Sequence, residues 1–161
     1  MNNSFPRLLG DIGGTNARWA WQRHAGAELE HIHVSPCTSS TSLSASVENY
    51  LASYGLSGPR CASLGVATAV TGDQVVFTNS NWSFSIAALK DALALERCLV
   101  INDFTALALS LPALCSADVR QIGAGQSASG APLALIGPGT GLGVSGLMPD
   151  GQGEYSAISG E

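Results

Sequence analysis

With 161 residues, 45% of them hydrophobic and only 12% charged, the chain is long enough for one domain, or for one lobe and part of another. Its net charge of −5 and its single lysine, Lys90, leave no basic patch for nucleic acid or an anionic membrane surface. No apolar run reaches the ~18 residues that cross a bilayer, and residues 1–7 hold no signal-peptide core, so neither a membrane span nor secretion is expected.

Strand signals cover residues 7–12, 17–23 and 28–35, which reads as a three-stranded antiparallel start. Between the first two lies Gly10-Asp11-Ile12-Gly13-Gly14-Thr15-Asn16. A strand follows it rather than a helix, so the glycines sit in a β-hairpin. There they are expected to let the backbone turn with φ > 0 and to bring bare N–H groups close to a ligand. Thr15 and Asn16 add side-chain donors, and such a concave donor set suits phosphate oxygens. Asp11 would repel a bare polyphosphate, which implies an intervening cation, most simply Mg²⁺. Taken alone, the segment reads equally well as an ordinary Gly-Gly hairpin turn.

A Ser/Thr-rich stretch from Ser39 to Ser46 caps a predicted helix over 43–54 that ends at Gly55. Cys61 to Ala67 is an apolar strand. Thr71-Gly72-Asp73 marks a turn before a short strand over 74–78. Helical spacing over 84–94 puts Ile86, Leu89 and Leu93 on one face. A strand over 98–101 runs into Asn102-Asp103, and a helix over 103–111 stops near Pro112. Short strands are expected near 119–122, 133–137 and 142–147, with Gly139-Thr140-Gly141 turning between the last two. Gly141-Leu142-Gly143-Val144-Ser145-Gly146 fits GxGxxG by letter. The Met148-Pro149-Asp150-Gly151 that follows will not make the helix a dinucleotide site needs. A Walker loop is excluded because no Gly-Lys-Ser/Thr occurs. Cys37, Cys61, Cys98 and Cys115 contain no CxxC pair and read as reduced cysteines of a cytoplasmic protein, not as zinc ligands. His31 and His33 alternate along a strand and, with no third ligand beside them, read as surface residues.

Taken in order, Leu8 to Arg18, Cys98 to Ala106 and Leu133 to Val144 resemble the bacterial glucokinases, in the hexokinase branch of the actin-like ATPase fold. Thr78-Asn79-Ser80-Asn81-Trp82-Ser83-Phe84-Ser85 and the final Ser159-Gly160-Glu161 extend the resemblance over nearly the whole chain. It implies an α/β fold. An actin-like (ribonuclease H-like) lobe with a mixed five-stranded sheet flanked by helices would span 1–113, and the start of a second lobe 114–161. The chain would be the N-terminal part of a cytoplasmic, homodimeric enzyme that uses ATP and Mg²⁺ to phosphorylate glucose to glucose 6-phosphate.

The same resemblance implies roles for single residues. Asp103 would be the catalytic base that accepts the proton of the sugar 6-hydroxyl. Asn79, Asn102 and Glu161, together with Asp103, would hold the sugar. Gly10, Asp11, Ile12, Gly13, Gly14, Thr15 and Asn16 would form the first phosphate loop, and Gly139, Thr140 and Gly141 the second. Asp11 would hold Mg²⁺ through water. On local sequence alone, Asn102 or Asp103 is also an ordinary helix N-cap, and Trp82 is expected to pack rather than to stack on a ligand. The family carries proline where this chain has Ala69, which alters the turn ahead of the sugar segment. Two other functions fit the fold: a sugar-sensing regulator, or a kinase fused to a C-terminal regulator, and a non-sugar actin-like ATPase. Asn102-Asp103 together with Thr78-Asn79 argues for a sugar.

Overall fold

The computed structural model describes residues 4–78, 80–138 and 142–159, and the chain forms two compact units, Met1–Asp103 and Phe104–Glu161. In the first unit, β1 (Arg7–Ile12), β2 (Asn16–Gln22) and β3 (Glu30–Pro36) form an antiparallel meander. It is followed by α1 (Leu43–Ser53), β4 (Cys61–Val66), the short pair β5 (Gln74–Val76) and β6 (Ser83–Ser85), α2 (Ile86–Ala92) and β7 (Arg97–Asn102). The five-stranded sheet has the order β3-β2-β1-β4-β7, with β1, β4 and β7 parallel to one another. This is the mixed sheet expected from the sequence.

One face of the sheet is dry. Leu8, Ile12, Trp19, Leu64, Val66 and Val100 alternate onto it, and α1 belongs to the same core through Leu43, Val47 and Tyr50. Trp19 Nε1 donates to Ser46 Oγ at 3.1 Å, so the one polar atom of the indole is satisfied inside this core. Gly10 lies opposite Trp19 in the ladder. A Cβ there would meet the indole at 2.7 Å and Leu64 at 2.8 Å, so glycine makes room for the ring. The helix α1 begins where Ser42 Oγ accepts from the Ala45 N–H at 3.1 Å, and it ends ahead of Gly55 at φ +60°, as its sequence predicts.

The predicted helix over 84–94 is shorter than its spacing suggests. Ser83 to Ser85 pairs with β5, because Phe84 and Val75 form a buried cross-strand pair. Helix α2 starts only where Ser85 Oγ accepts from Ala88 N–H at 3.0 Å and Asp73 Oδ1 from Ala87 N–H at 2.8 Å. Ile86, Leu89 and Leu93 do share the face that packs on the core. In β3, His31 takes φ +52° beside a register shift between Trp19 and Trp21, which delays the strand to Glu30.

Asp103 opens α3 (Asp103–Ser110). Most of this helix belongs to the second unit, with β8 (Leu133–Pro138), β9 (Leu142–Pro149) and β10 (Tyr155–Ser159) in an antiparallel sheet of order β10-β9-β8. The strand expected over 119–122 does not form. Val119 and Ile122 are 57% and 93% exposed, and Gln121 Nε2 instead donates to the carbonyls of Gly123 and Gly125. Strand β10 was missed because Tyr155-Ser156-Ala157-Ile158 carries a faint period. Its partner β9 specifies it, with Ser145 Oγ donating to Ile158 O at 2.8 Å.

Candidate active site

Three parallel strands end together. Ile12 of β1, Val66 of β4 and Asn102 of β7 stand in register, so the carboxyl ends of these strands form one row. Neighbouring strands lie ~4.8 Å apart, which puts the ends of β1 and β7 about 10 Å from each other. Ligands of open α/β sheets collect at such ends. The phosphate-type turn after β1 and the Asn102-Asp103 pair after β7 are therefore brought to one edge of the first unit.

The turn is pinned from inside. Gly13 N–H donates to Asn16 O at 2.9 Å, and Cys37 N–H donates to Thr15 O at 2.8 Å. The Cys37 thiol reaches Gly13 O at 3.4 Å, and Ala67 N–H donates to Ile12 O at 2.9 Å. Gly13 does not adopt the positive φ expected of it. A Cβ there would sit 3.4 Å from Asn16 O, an ordinary contact, so packing within the turn does not by itself demand glycine. Ile12 is fully buried, so only its backbone faces the turn, and Gly10 is held by packing inside β1. Thr15 is exposed and Gly14 and Asn16 are half-buried.

Asp11 lies directly across the ladder from Arg18, and Arg18 Nη1 donates to Asp11 Oδ2 at 2.9 Å, with both side chains more than half exposed. Arg18 was not singled out from the sequence. Its signal is visible only once the hairpin length fixes which residues are opposite. Among the described residues no group of three His, Cys, Asp or Glu side chains is assembled for a metal. A lone carboxylate suits Mg²⁺ arriving on a polyphosphate, since that ion keeps most of its waters and takes one or two protein carboxylates.

At the end of β7, Asn102 is 7% exposed. Its Nδ2 donates to Asp103 Oδ1 at 3.1 Å and to Thr68 O at 3.4 Å. Asn102 thus faces inward with Ile12 and Val66, while Asp103 begins α3. Trp82 is 4% exposed, crosses Phe77 edge-on at 6.3 Å between centroids and donates Nε1 to Ser40 O at 3.2 Å, which makes it a packing residue as expected. A cavity of about 440 Å³ opens between the phosphate-type turn and this segment, lined by Gly14, Cys37, Thr38, Thr41, Ser80 and Asn81. Its volume falls within the ~300–1,000 Å³ of small-molecule sites.

Asn79, Gly139, Thr140, Gly141 and Glu161 lie outside the described residues. The residues after 141 are strand β9, not helix. The spacing of Gly143 and Gly146 has a packing cause. A Cβ on Gly143 would stand 2.2 Å from the Phe104 ring, and one on Gly146 2.8 Å from Leu133 O. No helix among the described residues is long and apolar enough to cross a membrane.

Comparison with known proteins gives the family and the fold. The glucokinase family model matches residues 8–161. The glucokinase of Aromatoleum aromaticum is 50% identical over 161 residues, 99% of this chain and 48% of that one. The crystal structure of a glucokinase from an Antarctic psychrotroph superposes with a TM-score of 0.86 at 36% identity, over 97% of this chain and 50% of that chain. A glucokinase from Balamuthia mandrillaris, solved in complex with glucose, shares the fold with a TM-score of 0.64 at 20% identity, over 96% of this chain and 47% of its own. The chain spans about half the length of the relatives it matches. Matched by the family model over residues 8–161, the chain belongs to the glucokinase family.

Proposed function

We propose that this chain supplies the catalytic base, the first phosphate turn and part of the sugar site of an enzyme that transfers the γ-phosphoryl group of ATP to the 6-hydroxyl of glucose. The observation that carries this is the common row formed by the ends of β1, β4 and β7, which joins the Gly13–Asn16 turn to Asn102 and Asp103. The first lobe is taken as 1–113 and the second as starting at 114, and the assembly as a cytoplasmic homodimer.

The chemistry assigned to each residue follows from its groups. Asp103 accepts the proton of the 6-hydroxyl and aims that oxygen at phosphorus. Phosphoryl transfer is loose, so positioning and charge matter more than basicity. Asn102, with its nitrogen side turned to Asp103 Oδ1, presents an amide to sugar hydroxyls. Backbone N–H groups of the turn, with Thr15 and Asn16, hold phosphate oxygens. Asp11 is the carboxylate that would hold Mg²⁺ through water, and Arg18 keeps it oriented. When bound, that ion neutralises phosphate charge. Asn79, Glu161, Gly139, Thr140 and Gly141 complete the sugar and second phosphate contacts.

The test is Asp103→Asn in the full-length protein. Glucose binding, measured by calorimetry, should persist while turnover in a glucose 6-phosphate assay falls about 10²–10⁴-fold. Near-normal turnover would remove Asp103 from the mechanism.

A further inference from the structure

We infer that Thr68 is a positioning residue for Asp103, acting through the Asn102 amide. This rests on the reading of Asp103 as the base. Thr68 follows the end of β4 and is 9% exposed. Its hydroxyl donates to Val76 O at 2.9 Å, and its N–H donates to Val66 O at 2.8 Å. The N–H bond closes the turn at the end of β4 ahead of Thr68, and the hydroxyl bond ties the residue to β5. The Thr68 carbonyl is the one that accepts from Asn102 Nδ2 at 3.4 Å, and the same Nδ2 donates to Asp103 Oδ1 at 3.1 Å.

An amide nitrogen carries two hydrogens and an amide oxygen carries none. With one N–H turned to the Thr68 carbonyl and the other to Asp103, the side chain has a defined flip: nitrogen toward the carboxylate, oxygen away from it. The Thr68 carbonyl is one of the groups that favour this flip, and a flipped amide would set its oxygen against the carboxylate. At 3.4 Å the bond is already long, so a small displacement is enough to weaken it. The Thr68 hydroxyl, tied to Val76 O, anchors the residue whose carbonyl meets the Asn102 amide. The same hydroxyl is tied to Val76, next to Phe77, whose N–H donates to Trp82 O at 3.1 Å across the hairpin that carries the sugar segment. Thr68 therefore links that hairpin to the base.

The experiment compares five forms of the full-length protein: wild type, Thr68→Val, Thr68→Ser, Asp103→Asn, and Thr68→Val combined with Asp103→Asn. Thr68→Val keeps the volume and removes the hydroxyl. It should lower kcat about 5–20-fold with KM for ATP unchanged, as expected for a misaligned reactive group. Thr68→Ser, which keeps the donor, should recover kcat to within about twofold of wild type. In the Asp103→Asn background, Thr68→Val should cause no further loss, because the residue it positions is gone. Wild-type kcat in Thr68→Val, failure of Thr68→Ser to recover it, or an equal further loss in the Asp103→Asn background would each overturn the proposal. If Thr68→Val is not recovered folded, Thr68→Ala takes its place with the same expected pattern. Normal turnover in Asp103→Asn would instead defeat the base assignment, which separates the two failures.

Discussion

Asp11 and Arg18 show how much a single pairing decides. The sequence marks Asp11 as a carboxylate at a strand end, but says nothing of the guanidinium opposite until the hairpin register is fixed. Asp103 was legible for the contrary reason: its position follows from a strand running straight into a helix, a local pattern. Gly10 is legible as a glycine of the turn, but its packing cause, room for the Trp19 indole, is visible only in the ladder. The cysteines give a prediction at this scale. Burial pushes the Cys37 thiol above its ordinary value of 9.0, with its backbone hydrogen bond opposing, and burial raises Cys98 against the pull of Lys90. A raised value means less thiolate at a given pH, and the thiolate is what reacts. Cys115 is exposed. With iodoacetamide at about pH 8, mass spectrometry should show Cys115 labelled first and Cys37 at least tenfold more slowly. Equal labelling would mean that the turn held by Cys37 opens freely.

At the scale of elements, the second unit turns on Phe104. Gly137 and Gly143 are paired across β8 and β9, and a Cβ at either would lie within 2.9 Å of the Phe104 ring. The ring is thus seated in a notch made by two missing side chains. Gly143→Ala should cost about 1–3 kcal/mol by overpacking, measured by urea unfolding. Most of that cost should vanish when Phe104→Ala is made as well. A full cost in the double variant would show that the glycine serves the backbone instead. Helix α2 offers a pH prediction. The Ser85 hydroxyl, and then the Ala87 N–H, hold the exposed Asp73 carboxyl below its ordinary 3.8. A carboxyl lowered in the folded state stabilises above its unfolded value and loses that contribution as pH falls through the folded one. Asp73→Ala should therefore lower Tm at about pH 6, by a gap that narrows as pH falls below 3.8. A gap that does not narrow would mean that the charge at residue 73 is irrelevant to the helix. These elements also mark where sequence reasoning ended. The period of residues 84–94 was read correctly, but Phe84 is claimed by a cross-strand partner, and β10 exists only because β9 is there to pair with it.

At the scale of the whole molecule, the apolar runs show a hairpin-linked start followed by strand–helix units, and the mixed sheet that the family resemblance implies is the one that forms. What the runs do not specify is what covers the outer face of that sheet. Val34 faces the same side as Arg18, and Ile32 and Leu99 are 67% and 54% exposed, as are Ile136 and Leu142 of the second unit at 65% and 69%. With only 12% charged residues, the surface has little to keep such patches apart. The relatives matched here are about twice as long as this chain. Catalysis by positioning requires every contact to be present at once, so a part of the contacts does not yield a part of the rate. Residues 1–161 prepared alone should associate, with a sedimentation profile that shifts with concentration, because exposed apolar side chains of this kind favour association. The same preparation should form no glucose 6-phosphate from glucose and ATP in a coupled assay. Turnover at even a hundredth of the roughly 1–100 s⁻¹ of ordinary kinases would show that the two units in this chain already hold a working site.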